Sequence, residues 1–174
     1  EQLLHFIWHR KLFDHSQLVT TEGHQIEILH PGIPNQDQGP DFLQARIRIG
    51  DQLWAGHVEI HIRSSSWNLH GHERDPHYNN VILHVVWTDD QPVRTMEGIL
   101  IPCMTLEGIV EKELMDRYHH LMNSEEWVPC ASSLVHVPDI IRTSWLERLM
   151  AERLESKTNY IRQILERCGN DYEQ

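Results

Sequence analysis

The sequence predicts an α+β domain on a mixed or mostly antiparallel sheet, and three observations carry that expectation. In residues 54–63 (WAGHVEIHIR), Trp54, Gly56, Val58, Ile60 and Ile62 fall on one face and His57, Glu59, His61 and Arg63 on the other. That period of two is a strand signature. Residues 81–87 (VILHVVW) are apolar on both faces except for His84, as in a strand covered on both sides. Helical spacing appears toward the two ends: Leu3, Leu4, Ile7, Trp8 and Leu12 near the start, and a stripe from Trp145 to Cys168 near the finish.

Taken in order, residues 1–13 form an N-terminal helix with one face on the sheet, and either Glu1 or His5, four residues on, looks toward the site from its start. Residues 18–21 and 25–30 read as a hairpin turning at Glu22-Gly23-His24, with Ile26 and Ile28 on a shared face. A proline- and glycine-rich loop (HPGIPN) then leads to Gly39-Pro40-Asp41. In the next alternating run, Ala45, Ile47 and Ile49 oppose Gln44, Arg46 and Arg48, and Gly50-Asp51 turns it into the 54–63 strand. Pairing of these two strands brings Asp41 close to Glu59-Ile60-His61. Asp75 before Pro76 suits a helix N-cap, with a short helix to about residue 80. A further strand or hairpin arm is expected over 93–102, with Ile99, Leu100 and Ile101 in the core. Helices follow over 106–122 and 144–168, the second stopped by Gly169. The expected organisation is an α+β core, residues 1–105, followed by a helical segment, residues 106–174, packed on it.

The net charge of −11 and pI of about 5.6 argue against a surface built broadly for phosphates. They leave room for a local strip of Arg46, Arg48 and Arg63. Three cysteines without metal-type spacing favour a reducing, cytoplasmic compartment. No apolar run approaches the ~20 residues of a membrane span. The opening Glu1-Gln2, without methionine, suggests a piece of a longer protein. In such a piece, the apolar face of the last helix is a candidate homodimer surface.

The chemistry concentrates between residues 35 and 89. Asp41 and Glu59, delivered from adjacent strands, make an oxygen-rich pocket for a hard divalent cation such as Mg²⁺ or Mn²⁺. His61 beside Glu59 is placed to orient or activate a water. His70-x-His72, with Asp75 and His77 near, offers imidazoles for a transition metal, Zn²⁺ being the alternative cofactor. His84 is either a hydrogen-bonded core imidazole or a further ligand reaching toward Glu59 and His61. Ser64-Ser65-Ser66 lacks the glycine-flanked turn of a serine nucleophile.

This order of elements, with Gly39-Pro40-Asp41 followed by Glu59-Ile60-His61, resembles the PD-(D/E)XK nuclease superfamily. The resemblance implies a restriction-endonuclease-like core with Asp41 and Glu59 as metal ligands, His61 in the place of the usual lysine, and Glu1 as the acid from the first helix. Its implied partner is nucleic acid, with Arg46, Arg48 and Arg63 meeting phosphates. The stretches LHFIWH, GPDF, WAGHVEIHIRSSSW, HGHERDPHYNNVILHVV and WLERLMAERLESK are similar, over nearly the whole chain, to an uncharacterised bacterial family of unknown function. There the position of Ser66 is commonly an aspartate, so this chain departs locally. The expected activity is metal-dependent phosphodiester hydrolysis. Two alternatives stand beside it: a non-catalytic assembly module of nuclease-like fold, and a histidine-rich small-molecule hydrolase acting through His70, His72 and His84.

Overall fold

The computed structural model describes residues 1–168. These form an α+β fold around a mixed six-stranded sheet. Contacts divide the chain into a unit covering Glu1–Arg117 and a second beginning at Tyr118.

In the first unit, α1 (Gln2–Arg10) buries Leu4, Ile7 and Trp8, the stripe expected from their spacing. It ends where Lys11 turns left-handed (φ 53°) and the Leu12 amide donates back to the Ile7 carbonyl. Trp8 Nε1 donates to the Pro31 carbonyl at 2.9 Å, which ties the helix to the loop that delivers Asp41. The strands are β1 (Ile26–His30), β2 (Ile33–Pro34), β3 (Phe42–Ile49), β4 (Gln52–Arg63), β5 (Val81–Thr88) and β6 (Cys103–Thr105). Their order in the sheet is β1-β3-β4-β5-β6, with β2 also paired to β3. β1, β3 and β4 run antiparallel; β5 is parallel to β4 and β6 parallel to β5.

The Gly50-Asp51 turn forms as expected, with Ile49 facing Gln52. Further along, the pairing slips from Ala45↔Gly56 to Phe42↔Val58, so β3 carries one extra residue. Gln44 adopts φ 59° at this bulge, and its amide donates to His57 Nδ1 at 3.3 Å. Phe42 and Ala45, three apart, are therefore both buried in the core. That core joins them to Val58, Ile60, Leu83, Val85 and the α1 stripe. Trp54 and Ile62, expected on this buried face, are 40% and 50% exposed because β4 extends at both ends beyond the packed region.

A second cluster, Trp67, Tyr78, Val81, Val93 and Ile101, forms under the segment that connects β4 to β5. This connection holds α2 (Ser66–Leu69) and two 3-10 turns, His72–Arg74 and Pro76–Tyr78. Asp75 caps the second turn by accepting from the His77 amide. The expected cap is present, and the helix it starts is a single 3-10 turn.

Several expected elements are shorter or displaced. Residues 18–21 contribute only a bridge, Val19↔Gln25, and the arm over 93–102 only Arg94↔Leu100. Ile99 is 56% exposed, and the edge strand comes later, at β6. Leu106 is fully buried, but its amide still donates to the Val86 carbonyl as a continuation of β6, so α3 (Lys112–Met122) starts later than expected. Ile109, Val110, Leu114 and Met115 pack against the first core, which places the first unit's limit beyond residue 105. The second unit contains α4 (Ala131–Leu134) and α5 (Asp139–Arg167). α5 begins directly after Pro138, earlier than expected; Gly169 lies outside the described residues.

At Gly56 the backbone of β4 passes close to Asn80 and Ile82. A Cβ there would meet the Asn80 carbonyl and Ile82 Cγ2, each at 2.5 Å. Overpacking of this kind costs about 1–3 kcal/mol. Gly56→Ala is therefore expected to lower the unfolding free energy by an amount in that range, read as a lower urea midpoint. An unchanged midpoint would contradict so close an approach.

Candidate metal centre

The geometry starts from the Phe42↔Val58 pair, which sets Asp41 beside the next residues of β4. The Asp41 amide donates to Glu59 Oε2 at 3.0 Å, and the Ile60 amide donates to Asp41 Oδ2 at 2.9 Å. Each acid thus accepts from the other's strand. The loop before Asp41 is pinned as well: Asn35 Nδ2 donates to the Pro40 carbonyl, and the Asn35 amide to the Asp41 carbonyl.

Glu59 and His61, two apart on β4, project from the face away from the α1 core, as their alternation requires. Glu59 Oε1 lies 3.3 Å from His72 Nε2 and 3.6 Å from His61 Nε2. His61 Nε2 is 3.0 Å from His70 Nδ1, and His61 Nδ1 is 2.8 Å from His84 Nε2. One ring nitrogen from each of His61, His70 and His72 lies within 4.8 Å of the others. His72 stacks on Tyr78 with ring centroids 3.8 Å apart, and Trp67 stands edge-on against His72 and tilted against His84. His72 Nε2 and His84 Nδ1 are buried with no hydrogen-bond partner among the described residues. The 3.3 Å approach of His72 to Glu59 is therefore close but off the hydrogen-bond direction.

Burial sets the charges. It pushes the Glu59 carboxyl above its ordinary range, with His72 pulling the other way. It holds His61 down at about 3, reinforced by His84, His72 and His70, and His84 down at about 3. Both imidazoles are neutral near pH 7, the form that can ligate a metal or accept a proton. At the open edge, His5 Nε2 lies 3.3 Å from Asp41 Oδ2, and that hydrogen bond raises the His5 pKa.

The chain belongs to the family described as protein of unknown function (DUF2851), whose model matches residues 1–174. No curated protein and no solved structure matches the chain.

Of the candidate residues, Asp41, Glu59, His61, His70 and His72 converge, and His84 sits behind His61 rather than beside His70 and His72. Glu1 is exposed at the N-cap of α1, and its carbonyl accepts from the His5 amide; it is His5 that this helix sends to Asp41. A one-turn step from Glu1 to His5 was the available signal. Arg46 and Arg48 face Ala55 and Leu53, four and six residues before Glu59 on β4, or ~13 and ~20 Å along the strand. Arg48 pairs with Glu27 at 2.9 Å rather than with Glu59, and Arg63 is exposed. Asp75 and His77 hydrogen-bond each other instead of joining the centre. Ser64 and Ser65 are bound to Asp90, closing the ends of β4 and β5. Tyr78, which backs His72, carried no signal in the sequence.

The lowered histidines fix a pH dependence for the metal-free protein. An unfolded chain protonates them near 6.5, whereas the folded protein holds His61 and His84 neutral down to about 3. Their contribution is full above about 6.5 and is lost as pH falls toward 3, at up to about 1.4 kcal/mol per pH unit for each. The raised Glu59 acts in the opposite sense only above the ordinary carboxylate range. The urea midpoint is thus expected to fall between pH 7 and pH 5; a flat profile would contradict buried, neutral imidazoles.

Proposed function

We propose that this domain is a metal-dependent phosphodiester hydrolase, with Asp41 and Glu59 holding a divalent cation. One observation carries the reading: two acids on neighbouring strands are locked by reciprocal backbone hydrogen bonds beside a buried, neutral imidazole. A bound cation lowers the pKa of a coordinated water and stabilises charge on a phosphoryl oxygen. The donor set fits such an ion, because Glu59 is nearly buried and has only histidines as ion-pair partners among the described residues.

The Ile60 amide and His5 both face Asp41 Oδ2, leaving Oδ1 for a ligand. His61, aligned by His84, stands where the superfamily's lysine would stand and serves to orient the attacking water. The restriction-endonuclease-like reading of the fold is supported by the same order of parts: a helix, antiparallel strands carrying the two acids, a short helical crossover and a buried parallel strand. Arg46, Arg48 and Arg63 share the sheet face of Glu59 and His61 and flank the acids along it. They would contact a nucleic-acid backbone several phosphates long rather than the scissile group. With a net charge of −11, such binding is confined to this strip.

The test is cleavage of single- and double-stranded DNA and RNA oligonucleotides with Mg²⁺, Mn²⁺ or Zn²⁺ supplied in turn. Asp41→Asn and Glu59→Gln are expected to reduce the rate by roughly 100-fold or more, as losses of transition-state charge stabilisation do, with circular dichroism unchanged. A folded wild type that cleaves none of these substrates, or variants that keep its rate, would overturn the reading.

A further inference from the structure

The two residues flanking Gly71 turn toward the same point. Gly71 adopts φ 79°, a left-handed conformation natural to glycine, and the chain doubles back between His70 and His72. This brings His70 over His61 and His72 over Glu59. Three imidazoles from two segments meet there, one ring nitrogen each of His61, His70 and His72 lying within 4.8 Å of the others, and Glu59 Oε1 stands beside His61 Nε2 and His72 Nε2.

The spacing suits one ion. Bonds of 2.0–2.1 Å in a tetrahedron place neighbouring ligand atoms ~3.3 Å apart. Three of the six separations come close to this, at 3.0 Å for His61 to His70, 3.3 Å for His72 to Glu59 and 3.6 Å for His61 to Glu59. Two further features point to a ligand. His72 is 9% exposed, and its Nε2, aimed into the cluster, has no hydrogen-bond partner among the described residues. Glu59 is only 4% exposed and has neither lysine nor arginine paired with it among the described residues, so a cation held there would offset the cost of burying its charge.

The surroundings hold the donors in place. His84 Nε2, 2.8 Å from His61 Nδ1, holds the ring with its Nε2 turned inward, the usual kind of support for a metal-bound histidine. Tyr78 and Trp67 fix the plane of His72. His70, on the exposed side, leaves the ion an entry path.

We propose that Glu59, His61, His70 and His72 form a transition-metal site that takes Zn²⁺-class ions in preference to Mg²⁺. Three imidazoles and one carboxylate suit such metals, whereas Mg²⁺ requires oxygen ligands in an octahedron. This site goes beyond the hydrolase reading: it shares Glu59 with it, leaves Asp41 outside and uses His61 as a ligand, and ion binding here does not depend on catalysis.

The experiment strips the full chain with a chelator, then dialyses it against micromolar Zn²⁺ with millimolar Mg²⁺ and measures bound metal by mass spectrometry. Wild type is expected to retain one Zn²⁺ per chain, and Co²⁺ substitution to give the intense visible bands of four-coordinate cobalt. His70 is exposed, so His70→Ala keeps the fold; it is expected to weaken Zn²⁺ binding by more than the ~10–100-fold that outer-shell losses cost. His77→Ala, exposed and outside the four donors, is expected to retain stoichiometric Zn²⁺. Wild type without stoichiometric Zn²⁺, or His70→Ala binding as tightly as wild type, would overturn this site. Zn²⁺ bound without cleavage of any phosphodiester supports the site and sinks only the hydrolase. Mg²⁺-dependent cleavage with no Zn²⁺ uptake supports the hydrolase and sinks only this inference.

Discussion

The paired hydrogen bonds from the Asp41 amide to Glu59 and from the Ile60 amide to Asp41 are the constraint on which the site depends. Hydrogen bonds to ionised groups contribute roughly 1.5–3 kcal/mol each, and here both use backbone amides, so they fix strand against strand as well as side chain against side chain. The bulge at Gln44 lies between this clasp and the regular hairpin. It lets Phe42 reach the core while the remaining pairs keep their own register. A left-handed non-glycine residue costs about 1–2 kcal/mol, and His57 offsets part of that cost by accepting the Gln44 amide. Backbone irregularity beside a candidate site is a common way to re-aim a side chain.

The second half of the centre comes from the crossover between parallel strands. A parallel pair needs a long connection, and this one is folded down onto the sheet by Trp67, whose indole Nε1 donates to the Arg94 carbonyl. Ser64 closes its near end by exchanging hydrogen bonds with Asp90 and accepting from the Gln91 amide. Between these anchors the chain has little freedom, so His70 and His72 are held over β4 by packing rather than by regular helix. One imidazole from the sheet, backed by His84, and two from the crossover meet beside one carboxylate. Apolar rings exclude water from much of that volume, which strengthens every charge interaction inside it.

Much of this was legible where chemistry follows local periodicity. The alternation of β4 placed Glu59 with His61, Gly50-Asp51 turned the hairpin, Asp75-Pro76 capped a turn, and the apolar run from Val81 announced a strand buried on both faces. Features set by three-dimensional packing were not legible. Nothing at Gln44 marks a bulge, since glutamine has no preference for a left-handed backbone. Helix phase decided between Glu1 and His5: Leu4, Ile7 and Trp8 take the core, which swings His5 toward Asp41 and leaves Glu1 in solvent. The role of His84 depends on its pairing opposite Glu59 in a parallel register, which no spacing within β5 reveals. The edge strand at Cys103–Thr105 was displaced in the reading because Ile99-Leu100-Ile101 looked equally apolar, though only Ile101 is buried.

An anomalous difference map from Zn²⁺-loaded crystals, collected on both sides of the zinc absorption edge, tests the account most directly. The account predicts one strong peak at ~2.0–2.2 Å from Glu59, His61, His70 and His72, with Asp41 still clasped to the Ile60 amide. A peak elsewhere, or a Glu59 side chain turned out to solvent, would contradict it.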